Sequence, residues 1–262
     1  MTNHDRPRPS LGRQRAAIFA CLGLLCVLAW LYLLAGAGMK TAASGSMTGM
    51  AMPQPPAGPL AFALALAMWW IMMIAMMLPS AAPAILLYGR VRDHAVTTTT
   101  EAAPADLMVF VSGYLICWFG FALLAAGLQL ALASAAVLSP MDLALGSRRA
   151  AGAVLIAAGL YQWSPLKSAC LGHCRSPAHY FARHWRPGVT GALMLGVRHG
   201  AFCVGCCWAL MLLLFVGGIM NMILVVVLAL FVMAEKLLPW DKAVARGGGL
   251  ILLLLGILYL AI

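Results

Sequence analysis

Hydrophobic residues follow one another in long runs along almost the whole chain, and short polar segments separate the runs. A membrane-spanning helix needs about 20 consecutive apolar residues. The runs predict spans at 16–38, 60–80, 107–137, 148–163, 199–217, 220–238 and 246–262. The fourth run is short, and only Gly217 and Gly218 separate the fifth from the sixth, so the pattern supports six to seven spans. We therefore predict an all-α, polytopic transmembrane helix bundle.

The polar segments divide the chain into three predicted parts. Residues 1–15 form a basic tail with the composition of a disordered segment. Residues 16–59 hold an outer loop rich in methionine and a retained anchor helix, whose apolar run is longer than the core of a signal peptide. Residues 60–262 form the transmembrane bundle, including an inner Cys- and His-bearing loop at 164–198 that is long enough to be partly ordered.

The few charged residues are distributed unevenly. They make up only 9% of the chain, which has a net charge of +10. If the N-terminus is cytoplasmic and every run spans, the outer segments keep only Lys40, Arg148 and Arg149 as basic residues. This bias follows the positive-inside rule. We therefore interpret the positive net charge as a consequence of membrane topology. This makes the lipid bilayer a predicted partner and excludes nucleic acid as one.

The fifth span carries a stripe of soft ligands. His199, Cys203, Cys207 and Met211 recur every four residues with Cys206 beside them, so a helix would place them on one face. Thiols, imidazole and thioether together are typical of a soft-metal or redox site. The ordinary alternative is that the cysteines are small, buried packing residues.

The second span carries two rows of methionines. At helical spacing, Met72 aligns with Met76, and Met73 aligns with Met77. Pro79 lacks a backbone donor and frees the carbonyl of the residue four positions earlier. This predicts a helix break with free carbonyls beside the methionines. Packing is again the alternative, because methionine fills irregular space well.

The inner loop adds a third group of ligands. Cys170 and Cys174 are four residues apart, so a helical turn would place both thiols on one face, with His173 pointing elsewhere. On a reducing inner side, metal binding or thiol chemistry is more economical than a structural disulfide.

The directions of the spans connect these groups. The second span runs inward and the fifth outward, so the methionine rows and Cys203–Cys207 both fall in the inner half of the bundle. Cys170 and Cys174 lie just inside. We therefore expect the sulfur atoms to converge into one pocket within the inner leaflet. Glu235 and Lys236, at the inner end of the sixth span, are expected to extend to the interface.

Six motifs together resemble the DUF2182 family, which comprises predicted metal-binding integral membrane proteins, mostly bacterial. They are MWWIMMIAMMLPS at 68–80, YQWSPLK at 161–167, CLGHCRSP at 170–177, CVGCCW at 203–208, GGIMNM at 217–222 and the pair Glu235-Lys236. The resemblance covers about residues 60–245. It implies metal binding in a bacterial inner membrane, but neither the metal nor a direction of transport.

These patterns predict an integral membrane protein that binds a soft metal ion for transport or handover across the inner membrane. Thiols and thioethers favour Cu(I), with zinc as the alternative metal. An unknown metallochaperone or partner subunit would exchange the ion with this chain. The sequence contains no P-loop and no Asp-Lys-Thr-Gly motif, so a non-enzymatic role is favoured over ATP-driven pumping.

A membrane thiol-disulfide oxidoreductase is the alternative function. Cys203 and Cys206 form a C-x-x-C at the predicted start of a helix, where the helix dipole favours a thiolate. Cys170 and Cys174 would then be exchange partners. The methionine rows have no role in that chemistry. A scaffold subunit, with its sulfur residues as packing, is the third interpretation.

Overall fold

The computed structural model describes residues 11–35, 58–98, 106–139 and 143–261. Within these ranges the chain is helical, apart from turns and one isolated bridge between Leu138 and Leu145. The helices are α1 Leu11–Leu34, α2 Pro59–Thr98, α3 Asp106–Ser134, α4 Arg148–Gln162, α5 Pro165–Arg175, α6 Pro177–His184, α7 Gly188–Met211, α8 Leu214–Gly217, α9 Met222–Leu237 and α10 Asp241–Ala261. The predicted disordered tail up to residue 10 and most of the methionine-rich outer loop lie outside the described residues.

The all-helical prediction is confirmed for the described residues. Four segments there are long and apolar enough to cross a membrane: Pro59–Arg92, Asp106–Ser134, Gly188–Gly217 and Lys242–Ala261. The other three predicted spans also form helices, α1, α4 and α9, but their apolar stretches are shorter. The count of six to seven spans and the cytoplasmic N-terminus therefore stay predictions.

Helix α2 does not break at Pro79, contrary to the prediction, and continues through Pro79 and Pro83. Pro79 has no N–H to donate to the carbonyl of Ala75. The indole Nε1 of Trp30 on α1 donates to that oxygen instead, at 3.1 Å. The freed carbonyl thus joins α2 to a neighbouring helix.

The segment predicted as an inner loop is largely helical. Ser164 begins α5 by accepting a hydrogen bond from the backbone N–H of Lys167 at 3.1 Å, and Pro165 occupies the first turn. Helix α7 then begins at Gly188, about three turns before the predicted start at residue 199. The predicted start was wrong because the polar residues Arg198 and His199 lie within the helix, where His199 is buried.

Glycines let α7 pack closely against α3. A Cβ on Gly113 would lie 2.6 Å from the carbonyl oxygen of Leu193, and a Cβ on Gly196 would collide with the carbonyl of Phe110. Small residues allow this approach of two membrane helices. The approach brings the buried face of α3 onto the cysteine-bearing part of α7.

A short turn separates α8 from α9, at the two glycines between the fifth and sixth apolar runs. Helix α8 ends at Gly217, and Gly218 has a φ of +90°, a conformation that favours glycine. Asn221 then caps α9 by accepting from the backbone N–H of Leu224 at 3.2 Å. As a result, α9 folds back beside α7 and also packs on α2 and α5.

Candidate metal centre

Three thiols lie in the interior of the bundle on α7. Cys203, Cys206 and Cys207 are each at most 1% exposed. The Sγ atoms of Cys206 and Cys207 are 3.2 Å apart, and the Cys206 thiol donates to the carbonyl of Cys203 at 3.2 Å. These cysteines occupy the middle of a helix that is long enough to span a membrane. The predicted position at a helix N-terminus, on which the oxidoreductase alternative relied, is therefore wrong.

Helix α5 contributes a fourth thiol. Cys174 is 9% exposed, and its thiol lies beside those of Cys203 and Cys206. Hydrogen bonding to Cys203, followed by burial, raises the pKa of the Cys174 thiol above its ordinary value. We call Cys174, Cys203, Cys206 and Cys207 the thiol pocket. Its members come from two helices, which sequence spacing alone could not place in contact.

Cys170 lies one turn before Cys174 on the same side of α5, as its spacing predicted. It is partly exposed, and a Cβ on Gly205 of α7 would lie 2.9 Å from its Sγ. The hydroxyl of Tyr161 donates to the carbonyl of Gly205 at the same place. Cys170 is therefore the more accessible of the two α5 thiols, and it lies beside the turn of α7 that carries Cys206.

The methionine rows of α2 face the interior and not the lipid. Met72, Met73, Met76 and Met77 are each at most 1% exposed. The Tyr114 hydroxyl on α3 joins this helix to the thiol pocket, because it lies 3.0 Å from the carbonyl oxygen of Met77 and 3.2 Å from Cys203 Sγ. The methionine backbone and the thiols are thus separated by one bridging hydroxyl.

Lys236 on α9 also faces the thiol pocket. Its Nζ donates to Cys203 Sγ at 2.9 Å and to Ser80 Oγ of α2 at 3.0 Å. The neighbouring Glu235 is 1% exposed and accepts from Lys167 Nζ through both carboxylate oxygens at 2.8 Å. The prediction that Glu235 and Lys236 extend to the interface is wrong, because α9 is packed against α2, α5 and α7 at this level.

The other predicted ligands lie around the thiol pocket at different positions. His199 is 4% exposed, and its ring is packed among aromatic rings, with the centroid of Tyr114 at 5.8 Å and that of Phe181 at 6.3 Å. Along the axis of α7, His199 is about 6 Å from Cys203, and Met211 is about 12 Å from it on the other side. The predicted residues therefore do not form one coordination shell.

His173 is directed away from the thiol pocket, as its spacing predicted. Its ring stacks on Phe202 with centroids 4.2 Å apart, and its Nδ1 is 2.8 Å from the carbonyl oxygen of Ala169 on its own helix. Tyr180 of α6 packs edge-on against the same imidazole. In this position His173 joins α5 and α6 to α7.

Within the described ranges, no group of three or more His, Cys, Asp or Glu side chains is arranged to hold a metal ion. Cys206 and Cys207 hydrogen-bond to each other, and Cys203 to Tyr114 and Lys236. In a tetrahedral site with metal–sulfur bonds of about 2.3 Å, the ligand sulfurs are about 3.8 Å apart. Cys206 and Cys207 would have to separate and rotate to bind an ion.

Sequence reasoning missed three polar neighbours of the thiols: Lys236, Tyr114 and Ser80. A weak signal was present for the first, since a Glu-Lys pair inside an apolar segment is expensive to bury. Tyr114 and Ser80 gave no signal, because a single aromatic or hydroxyl residue in a membrane helix is ordinary. Their contacts with the pocket depend on the packing of α2 and α3 against α7.

Comparison with known proteins now adds to this geometry. The chain matches the model of the PpoB2 family, described as copper chaperones, over residues 66–259. The match spans most of the chain, from α2 to α10. The chain belongs to this copper chaperone family. The match supports the association with copper that the soft ligands predicted, and the DUF2182 assignment itself stays a prediction.

No curated protein and no solved structure matches the chain. The matched region contains the thiol pocket, the methionine rows and Lys236, and excludes α1. The part of the chain in which the soft ligands converge is therefore the part that matches the copper chaperone family.

Proposed function

We propose that this chain is a membrane copper chaperone that binds Cu(I) at the thiol pocket and passes it on within the membrane. The observation that carries the proposal is that the thiols of α5 lie against the cysteine-bearing turns of α7: Cys174 is buried beside Cys203 and Cys206, and Cys170 packs on Gly205. Buried thiols need no such convergence for packing, since one alone fills the space of a small apolar residue. Thiolates select Cu(I) over hard cations, and family membership supports copper as the cargo.

The methionine rows would supply neutral secondary ligands. Met72, Met73, Met76 and Met77 are buried on the helix that Tyr114 joins to Cys203. A thioether adds a soft donor without adding charge, so an ion could move between thiol and thioether ligands without burying a further negative charge. Zinc binds thioether poorly, so these rows favour copper over zinc.

Cys170 is the proposed entrance to the thiol pocket. It is partly exposed, whereas the pocket thiols are buried. Stepwise transfer from Cys170 to Cys174 and then to α7 would bring the ion inward along one face of α5. A metallochaperone or partner subunit would exchange copper at this face. His173, His199 and Met211 lie farther from the thiols and would act as flanking residues.

The orientation of this scheme follows from the distribution of charge in the sequence. A cytoplasmic N-terminus places α5 and α6, with their basic residues, on the inner side of a bacterial inner membrane. Cys170 would then receive or release Cu(I) on the reducing side, where thiols stay free.

The test is a competition titration of the reduced, purified protein with a Cu(I)-specific chelator in detergent. The wild type should bind Cu(I), and Cys203→Ser, Cys206→Ser and Cys174→Ser should each bind it more weakly. Cys21→Ser is the matched control, because Cys21 is an exposed thiol on α1. The proposal fails if the wild type does not bind copper, or if the three pocket variants bind it as tightly as Cys21→Ser does.

A further inference from the structure

A fixed positive charge is built into the wall of the thiol pocket. The ammonium of Lys236 is 7% exposed and has the thiol of Cys203 and the hydroxyl of Ser80 as acceptors, and neither of these is a carboxylate. A buried charge needs a compensating partner. The nearest carboxylate in sequence, Glu235, accepts both of its short hydrogen bonds from Lys167.

One ion pair and one ammonium held by uncharged acceptors therefore meet at the inner end of α9. Lys167 neutralises Glu235 on the side facing α5. Lys236 extends toward α2 and α7, where Ser80 and Cys203 hold its ammonium. Because Glu235 is already paired, the charge of Lys236 is directed at the sulfur ligands.

This charge matters once copper is bound. A Cu(I) ion held by two thiolates carries one net negative charge, and burying that charge without a partner would be costly. The ammonium of Lys236, 2.9 Å from Cys203 Sγ, brings the sum to zero. Without the ammonium of Lys236, a copper complex of zero net charge could contain only one thiolate. Its remaining ligands would have to be uncharged thiols or thioethers.

We propose that Lys236 is a positioning residue that compensates the charge of a two-thiolate copper complex in the thiol pocket. This inference rests on the proposed function and adds to it the number of thiolates that hold the ion. Ser80 holds the ammonium in place, and it contributes no charge. Lys236 thus acts through Cys203 and does not itself ligate copper.

The experiment compares Lys236→Gln with Lys236→Arg in the full-length protein in detergent. Glutamine keeps a hydrogen-bond donor but removes the charge, and arginine keeps the charge. Cu(I) affinity should fall on the order of 100-fold in Lys236→Gln and stay close to the wild type in Lys236→Arg. The matched control is Lys242→Gln, which removes a charge from an exposed side chain on α10 and should leave the affinity unchanged.

X-ray absorption at the copper edge supplies a readout that packing alone would not change. The wild type and Lys236→Arg should show two short copper–sulfur bonds, and Lys236→Gln should show one of them lost or replaced by a longer thioether bond. A double-mutant cycle with Cys203→Ser should be non-additive, since Lys236 acts through that sulfur.

The outcomes separate this inference from the proposed function. If the wild type does not bind copper, the proposed function fails and this inference fails with it. If Cys203→Ser loses copper while Lys236→Gln keeps the affinity and both short bonds, only the role of Lys236 is overturned. Should Lys236→Gln not fold, Lys236→Arg still tests the inference, because it keeps the charge and a large loss of affinity in it would contradict the inference.

Discussion

Helices α7 and α10 are both long, apolar and packed through glycines, yet only one of them carries the soft ligands. In their most apolar windows, 56% of the α7 segment is buried but only 17% of the Lys242–Ala261 segment. Helix α7 contacts α3, α4, α5 and α9, whereas α10 packs mainly on α4. Helix α10 has neither Cys nor Met nor His. Both helices therefore have the character of membrane helices, and they differ in that only α7 buries cysteine, histidine and methionine side chains.

The glycine contacts sharpen this comparison. A Cβ on Gly159 of α4 would lie 2.9 Å from the carbonyl oxygen of Gly249 on α10, compared with 2.6 Å for Gly113 of α3 against Leu193 of α7. Close backbone approach is therefore a general device of this fold. At the α3–α7 crossing it has a further consequence, because it places the hydroxyl of Tyr114 beside Cys203.

The largest effect is expected where the central region buries charge. Lys167→Gln leaves the carboxylate of Glu235 buried without its partner, so the free energy of unfolding should fall by about 3–5 kcal/mol. Lys242→Gln on α10 removes the same charge from an exposed position and should change stability little. Thermal unfolding in detergent measures both. Equal losses in the two variants would mean that burial does not distinguish the regions.

A smaller effect should separate the two glycine interfaces by function. Gly196→Ala and Gly159→Ala each force backbones apart and should each cost about 1–3 kcal/mol of stability. Only Gly196→Ala should also weaken Cu(I) binding, because it shifts α3, and with it Tyr114, relative to Cys203. Chelator competition and thermal unfolding on the same samples measure the two effects.

Gly120→Ala provides the control for these glycine variants, since nothing lies within 4 Å of a Cβ at that position. It should leave both stability and copper binding near the wild-type values. A loss of copper binding in Gly159→Ala as large as that in Gly196→Ala would contradict the assignment of function to the α3–α7 crossing.

Local periodicity was enough to predict the helices of the apolar runs and the stripe on α7, but not the helices within residues 164–198. Every predicted span coincides with a helix in the structure, so the length of the apolar runs was a sufficient signal. The four-residue spacing of Cys170 and Cys174 correctly placed both on one face of α5. The predicted helix break was wrong where a backbone group without a partner in its own helix finds one on another helix. Pro79 did not end α2, because Trp30 supplies the missing donor to Ala75.

The polar part of the candidate site could not be predicted in the same way. Lys236 and Ser80 are 156 residues apart in sequence and in contact in the fold. A local pattern predicts only that a lysine near a helix end extends to the interface. Whether such a side chain is buried or exposed depends on which helices pack over it, and a local sequence pattern does not contain that information.

The central claim is that thiols from α5 and α7 bind one copper ion together. The most direct measurement is X-ray absorption at the copper edge on the reduced protein loaded with one equivalent of Cu(I), beside Cys174→Ser prepared in the same way. We expect a first shell made of sulfur alone in the wild type, and a changed sulfur shell in Cys174→Ser. A shell dominated by nitrogen or oxygen, or a shell identical in the two proteins, would contradict it.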